Sequence, residues 1–210
     1  SSLLALFLDL RIGTGATTIV IAHVMFSVSF VAVTVKARLR GFENHAEHDA
    51  ELARRWDKRV REGDEVWVLG DVAMNGWCMR LDWFRDRPGT KHLVLGNHDR
   101  AHPSQRNAKQ YQRAYLNLFE SVHTAASLRN GKILLSHFPY DGEGVTRDPS
   151  KRDRYSQWRL RDEGLPLAHG HTHDDVRFRR SANGSPMFHA GLDAWGLAPV
   201  TIHDLTEETR

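Results

Sequence analysis

The stretch LAHGHTHDD (residues 167–175) sets His169, His171 and His173 at alternate positions behind a short apolar run, with Asp174 and Asp175 following at once. A strand with period-two side chains, broken by Gly170, predicts that the histidines after the glycine leave the strand and stand at its carboxyl end. His169 lies inside the strand and reads as a hydrogen-bonded core histidine. His171 and His173 read as ligands or contacts at the strand end.

Three earlier runs have the same grammar. EVWVLGD (65–71) ends at Gly70-Asp71, KHLVLGNHD (91–99) at Gly96-Asn97-His98-Asp99, and ILLSHFP (133–139) at Ser136-His137. In layered α/β sheets the carboxyl ends of the strands form a common rim where ligands bind, so four clusters spread over a hundred residues can converge on one point. The glycine before three of the clusters fits a tight turn or a close backbone approach.

Between these runs the sequence predicts helices and hairpins. Asn44 and Glu47 resemble a capping box, with Ala46, Ala50, Ala53, Trp56 and Val60 on one face and Gly63 at the end. Residues 77–86 read as a second amphipathic helix stopped by Pro88-Gly89. Residues 108–119 read as a third, with Tyr111, Tyr115 and Leu118 on one side. Asn130-Gly131 and Asn183-Gly184 mark hairpins, and PVTIHDL (199–205) reads as a closing strand. Alternating strands and helices predict an α/β or α+β layered domain.

Asp, Asn and neutral His together are the oxygen and nitrogen donors suited to a borderline divalent metal. Such donors from several strand ends can hold two ions about 3.5–4 Å apart, which polarise a phosphoryl group and acidify a water between them until it attacks as hydroxide. Each residue also has a plainer reading. Asp71 could cap a helix, Asn97 could hold a left-handed turn, and His137 could be a hydrogen-bonded core histidine. His45, His48, His92, His102, His123 and His203 read as solvated or helix-face residues. His189 stays ambiguous, on a late strand able to return to the rim.

Taken in order, GD (70–71), GNHD (96–99), SHFP (136–139) and GHTH (170–173) resemble the motifs of the calcineurin-like metallophosphoesterases, over about residues 40–203. GLDAW (191–195) and SHFPYDG (136–142) are more similar to the small phage and bacterial members than to the large protein phosphatases. The resemblance implies a layered β-sandwich of two mixed sheets flanked by helices. It implies Asp71 as a bridging ligand, Asn97, His137 and His171 completing one metal's shell, and His173 on the other. His98 would be the general acid or a phosphate contact, with Asp99 orienting it. The implied cofactors are two divalent ions, Mn2+ first, with Fe, Zn, Co and Ni as alternatives. HGHTHDD is also superficially similar to the His-x-His-x-Asp-His motif of the metallo-β-lactamase-like hydrolases. Here His173 precedes Asp174, the reverse order, and that motif leaves GNHD unexplained.

The resemblance departs at the start of the chain, where the family has a strand running into Asp-x-His. LFLDLRIGT (6–14) offers Asp9 but places Arg11 where the histidine belongs. IVIAHVMFS (19–27) offers His23 and Met25. Asp9 is retained as a candidate ligand, and the first metal site is expected to be weaker than the second. The uncharged run 12–35 is long enough for a membrane helix. Its β-branched residues, its two early glycines and His23 favour two buried strands instead. Residues 1–39 are thus expected to be an atypical apolar segment of the same domain, with 40–210 the metallophosphoesterase domain.

Hydrophobic residues make up 40% and charged residues 26% of the 210, which excludes wholesale disorder. A formal charge of +3 does not by itself argue for a nucleic-acid partner. The lone Cys78 excludes an intrachain disulfide and suits a reducing, cytoplasmic setting. RDPSKRDRYSQWRLR (147–161) carries six Lys/Arg against two Asp, with Tyr155 and Trp158 interleaved. This segment is expected to overhang the rim and to offer Arg154 and Trp158, beside Asn97 and His98, to a nucleotide or cyclic-nucleotide phosphodiester. The expected activity is metal-dependent phosphodiester hydrolysis on a small substrate. The alternative is a weakly active or inactive binding protein of the same fold with one metal, tethered to a membrane through residues 12–35.

Overall fold

The computed structural model describes residues 18–21, 45–72, 82–128, 132–144 and 153–207. The described residues form two mixed five-stranded sheets and few helices, an α/β arrangement. The first sheet runs β10-β1-β2-β3-β4, with β1 Thr18–Ile21, β2 Glu65–Val68, β3 Thr90–Val94, β4 Ser121–His123 and β10 Val200–Thr201. The second runs β5-β6-β7-β9-β8, with β5 Ala126–Leu128, β6 Ile133–Ser136, β7 Leu167–His169, β8 Phe178–Arg180 and β9 Pro186–His189. Within the first sheet only the β1–β10 pair is antiparallel. In the second, β6, β7 and β9 run parallel and the edge strands β5 and β8 run against them.

Strand alternation builds the layers. On β2, Val66 and Val68 face a core shared with the helices. Trp67 and the following Leu69 face the second core, between the sheets. That inter-sheet core takes Val94 from one sheet and Leu135, Ala168 and Phe188 from the other. Leu167 and Met187 pack with Tyr140 on the far face of the second sheet. β2 and β3 are therefore buried on both faces, which is why they read as continuous apolar runs rather than alternating ones.

Helix α1 (His45–Arg59) buries Leu52 and Trp56, with Val60 just beyond its end, on the first sheet. The expected alanine face is rotated: Ala46 and Ala50 are exposed. A leucine at i−4 from Trp56 removes far more apolar area from water than a methyl group, and it sets the helix's rotation. The helix stops at Arg59, and the turn after it is held by the Arg61 amide donating to Asp64 Oδ2 at 2.9 Å rather than by Gly63 in a left-handed cap. Helix α2 (Ala108–Leu116) buries Tyr115, with Tyr111 and Leu118 packed against the same core, as the spacing predicts. β5 pairs antiparallel with β6 and β8 with β9, and Gly184 takes φ 87° in the β8–β9 turn, while the expected Asn130-Gly131 turn lies outside the described residues.

The expected closing strand is only two residues long. From Ile202 the chain is helix α3 (Ile202–Glu207). Its start is a reciprocal cap: Thr201 N donates to Asp204 Oδ2 at 2.7 Å and Asp204 N donates to Thr201 Oγ1 at 3.1 Å. The Thr-x-x-Asp spacing of a capping box was present in the sequence and outweighs the strand propensity of the run.

Of the 12–35 run, β1 is a strand paired in parallel with β2, as the β-branched composition predicts. The rest of that run, the candidate ligand Asp9 and the 77–81 part of the expected second helix lie outside the described residues, and over 82–86 the expected helix gives way to a single 3-10 turn, Asp82–Phe84, and a further turn. No helix among the described residues is long and apolar enough to cross a membrane.

Candidate functional site

The parallel strands β2, β3, β6 and β7 end on one rim, and the four polar clusters follow them directly. Two glycines let the clusters meet. A Cβ on Gly70, at φ 90°, would stand 2.5 Å from Gly96 N and 2.6 Å from His137 Nδ1. One on Gly96 would stand 2.1 Å from Asp71 Oδ1. Only hydrogen fits where the β2 and β3 loops cross beneath His137.

Asp99 ties those loops together. It is fully buried, and its carboxylate accepts the amides of Gly96 (2.7 Å), Asp71 (2.9 Å) and Val72 (2.9 Å). Burial, then the neighbouring Asp71 charge, push Asp99 up to about 8, against three amides that favour the anion. The expected partnership of Asp99 with the His98 ring does not form, because the carboxylate is occupied by backbone. Asp99 positions the two loops. The His98 amide donates to Asp71 Oδ1 at 2.8 Å, while its side chain sits at the exposed edge of the site.

Asp71, Asn97, His137 and His171 do come together. His137 Nδ1 lies 2.8 Å from the Leu69 carbonyl, which can only accept, so that nitrogen carries the ring proton. Burial lowers His137 to about 3, so the ring is neutral and its Nε2 is a lone pair. That Nε2 faces Asn97 Oδ1 at 3.1 Å, His171 Nδ1 at 3.2 Å and Asp71 Oδ2 at 3.5 Å. Burial likewise pushes the Asp71 carboxyl up, with the surrounding imidazoles pulling the other way. Asp71, His171 and His173 adopt φ of 54°, 69° and 43°. Left-handed backbone costs non-glycine residues roughly 1–3 kcal/mol each, and such strain gathers at functional sites.

His173 Nδ1 lies 3.6 Å from Asp193 Oδ2, and its ring acts electrostatically on both Asp71 and His137. Asp193, inside GLDAW, was not singled out from the sequence. His189 pairs in register with His169 below the rim; the rings stack at 5.5 Å and both are buried. His169 Nδ1 donates to the Gly170 carbonyl at 2.8 Å, the core role expected of it. His102 and His92 correct the reading of a solvated set. His102 is buried against Phe138 and Trp158, and His92 is half-buried and stacked on Trp67 at 4.7 Å.

The residue that sequence reasoning missed is Glu143. Its side chain is 3% exposed, and its Oε2 lies 3.2 Å from His171 Nε2. Arg154 Nη2 donates to it at 2.9 Å and Arg159 Nη2 at 2.9 Å. Burial works to raise its pKa, but bonds from His171 and Arg154 outweigh that and hold it at about 2. A lone glutamate in DGEG carries no local signal of this role. The basic segment reaches the site through Tyr155, not Trp158. The Tyr155 ring lies 5.3 Å from Phe138 and edge-on to His171, and its hydroxyl is 3.5 Å from Asn97 Nδ2. Trp158 packs on His102, and Arg154 is engaged by Glu143 with its guanidinium over the Tyr155 ring.

Counting His, Cys, Asp and Glu alone, no group of three or more among the described residues is set to hold a metal ion as it stands. The converging set includes an amide oxygen, Asn97 Oδ1.

No family model matches the chain. The Aquifex aeolicus protein of unknown function AQ665 shares the fold, with a TM-score of 0.60 at 19% identity over 92% of this chain and all of that one. The Gene 66 protein of Mycobacterium phage L5 is 45% identical over 173 residues, 76% of this chain and 81% of that protein. The Gene 66 protein of Mycobacterium phage D29 is 47% identical over 165 residues, 73% and 80% of the two chains. At that identity and coverage, the chain belongs to the family of the mycobacteriophage Gene 66 proteins.

Proposed function

We propose that this protein is a metallophosphoesterase of the calcineurin-like type, hydrolysing a small phosphodiester with divalent metal, Mn2+ first. The observation that carries the reading is that Asn97 Oδ1 and Asp71 Oδ2 lie 3.1 and 3.5 Å from His137 Nε2, on a ring whose proton is already committed to the Leu69 carbonyl. Acceptors turned on one another repel unless a proton or a metal cation lies between them, and a metal ion serves all of them at once. Donors about 2.0–2.2 Å from one ion stand about 3–3.5 Å apart, which is the spacing seen. The donor set of carboxylate, amide oxygen and imidazole suits Mn, Fe, Zn or Co.

Asp71, Asn97, His137 and His171 would hold one ion, and His173 with Asp71 would contribute to a second. Such ions polarise a phosphoryl group and make water acidic. The chain's own residues supply the rest. His98, exposed and tied to Asp71 through its backbone amide, would give a proton to the leaving oxygen. Asp99 holds the loops carrying Asp71 and Asn97 in register. Tyr155 walls the site with an aromatic face and a hydroxyl, which suits a base or an aryl ester beside the phosphate.

The test is hydrolysis of bis(4-nitrophenyl) phosphate with added Mn2+, together with metal content of the purified protein. Turnover that vanishes in Asp71→Asn and falls at least about 100-fold in His98→Ala supports the reading. A folded parent protein that neither binds Mn2+ nor turns over any phosphomonoester or phosphodiester refutes it. His173 Nδ1 also lies 3.6 Å from Asp193 Oδ2, and a protein holding a single ion without turnover would favour the second reading, a one-metal binding protein of the same fold.

A further inference from the structure

The site contains a contest for one proton. A neutral imidazole at His171 has a single N–H to place. Its Nδ1 lies 3.2 Å from the bare Nε2 of His137, and its Nε2 lies 3.2 Å from Glu143 Oε2. A proton on Nδ1 would bond the two imidazoles to each other and fill the place where the donors converge. A proton on Nε2 would bond Glu143 and leave Nδ1 as a further lone pair aimed at that place.

The surroundings of Glu143 decide the contest. Arg154 donates through its backbone N to Oε1 at 2.9 Å and through Nε and Nη2 to Oε2 at 3.2 and 2.9 Å. Arg159 Nη2 donates to Oε1 at 2.9 Å and to the Gly142 carbonyl at 2.9 Å, while its Nη1 donates to the Pro139 carbonyl at 2.8 Å. A carboxylate so surrounded is an anion and can only accept. A charge-assisted acceptor outcompetes a neutral imidazole nitrogen at equal distance.

We propose that Glu143 is a positioning residue, taking the Nε2 proton of His171 so that His171 turns its Nδ1 lone pair to the point where His137 Nε2, Asn97 Oδ1 and Asp71 Oδ2 meet. The consequence for metal binding rests on the reading of the site as a metal centre, whereas the proton placement does not. Ligating imidazoles commonly depend on a carboxylate in this way, and loss of that carboxylate typically lowers metal affinity about 10–100-fold. Glu143 thereby couples the loop carrying it, and Arg159 behind it, to the strand end of β7.

The experiment has two arms on the full chain. The first reads the imidazole 15N shifts of metal-free protein near neutral pH, with His171 assigned from His171→Gln. The expected result is the Nε2–H form in the parent and conversion toward Nδ1–H in Glu143→Ala. Glu143→Gln, which keeps an acceptor for Arg159, should fall between them. The second arm measures Mn2+ affinity by calorimetry, expected to drop about 10–100-fold in Glu143→Ala, with partial recovery in Glu143→Gln. If Glu143→Ala does not fold, the parent's tautomer and Glu143→Gln still decide. A parent His171 protonated on Nδ1, or a tautomer and an affinity indifferent to Glu143, overturns the proposal. A parent that binds no Mn2+ while His171 responds as stated refutes the metal reading and upholds the proton placement.

Discussion

The carboxylate of Asp99 accepts the backbone amide of Asp71 at 2.9 Å, a bond across 28 positions that joins the loop after β3 to the loop after β2. Two further amides, Gly96 and Val72, end on the same carboxylate. Its removal strands three buried N–H groups at once. Asp99→Ala should cost about 3 kcal/mol or more, since each unsatisfied buried donor costs roughly 1–3 kcal/mol. Urea unfolding of the two proteins measures it, and a loss under about 1 kcal/mol would show that the loops hold without this acid.

Gly96 separates packing from chemistry. A methyl group there would meet Asp71 Oδ1 at 2.1 Å and Asp71 N at 2.5 Å, so Gly96→Ala should displace Asp71 and abolish metal-dependent turnover. Gly63 has nothing within 4 Å of the same methyl and no left-handed backbone. Gly63→Ala should leave activity intact and stabilise by about 0.4–1 kcal/mol. Parallel assays and melts of the pair check both outcomes.

Asp162 gives a pH dependence remote from the site. Burial works to raise its pKa, but bonds from Ser181 Oγ and Ser185 Oγ, both at 2.5 Å, hold it below the usual aspartate range. A depressed carboxylate contributes stability that is fully present above its unfolded pKa and is lost as pH falls through the folded one. Asp162→Asn should therefore cost about 1–2 kcal/mol at pH 7. The gap to the parent should narrow once pH drops below 3.8. Denaturant midpoints from pH 7 to pH 3 would reveal it, and a gap that stays constant across that range would disprove it.

Metal removal should act on stability as well as rate. An ion bound only by the folded state adds about 2.7 kcal/mol at a hundred times its Kd. Chelation should lower the melting temperature of the parent, and His137→Ala should erase that sensitivity to chelator. Calorimetric scans with and without Mn2+ test this, and a parent whose melting ignores both Mn2+ and chelator contradicts it.

The legible parts were those whose causes are local. The apolar runs before Asp71 and Asn97 became neighbouring parallel strands of one sheet, and those before His137 and His171 neighbouring parallel strands of the other, because a short apolar run closed by a polar cluster is set within a few residues. The Asn183-Gly184 hairpin and the Tyr115 face of α2 were readable for the same reason. The rotation of α1 was missed because alanines mark a periodicity without specifying which side chain buries most area. The capped α3 is hidden by the strand propensity of Val200, Thr201 and Ile202, which the Thr201–Asp204 cap overrides.

The sequence by itself determined that four polar clusters would lie at strand ends, and which donor types they would bring. Only the tertiary structure decided that Glu143 faces His171, that Asp99 is committed to backbone amides rather than to His98, and that Tyr155 rather than Trp158 meets Asn97. Those partnerships join residues 27 to 58 positions apart. No periodicity or short motif spans such separations. They arise where the chain's returns across two sheets bring side chains within hydrogen-bonding distance, and burial then makes each unpartnered charge too costly to leave.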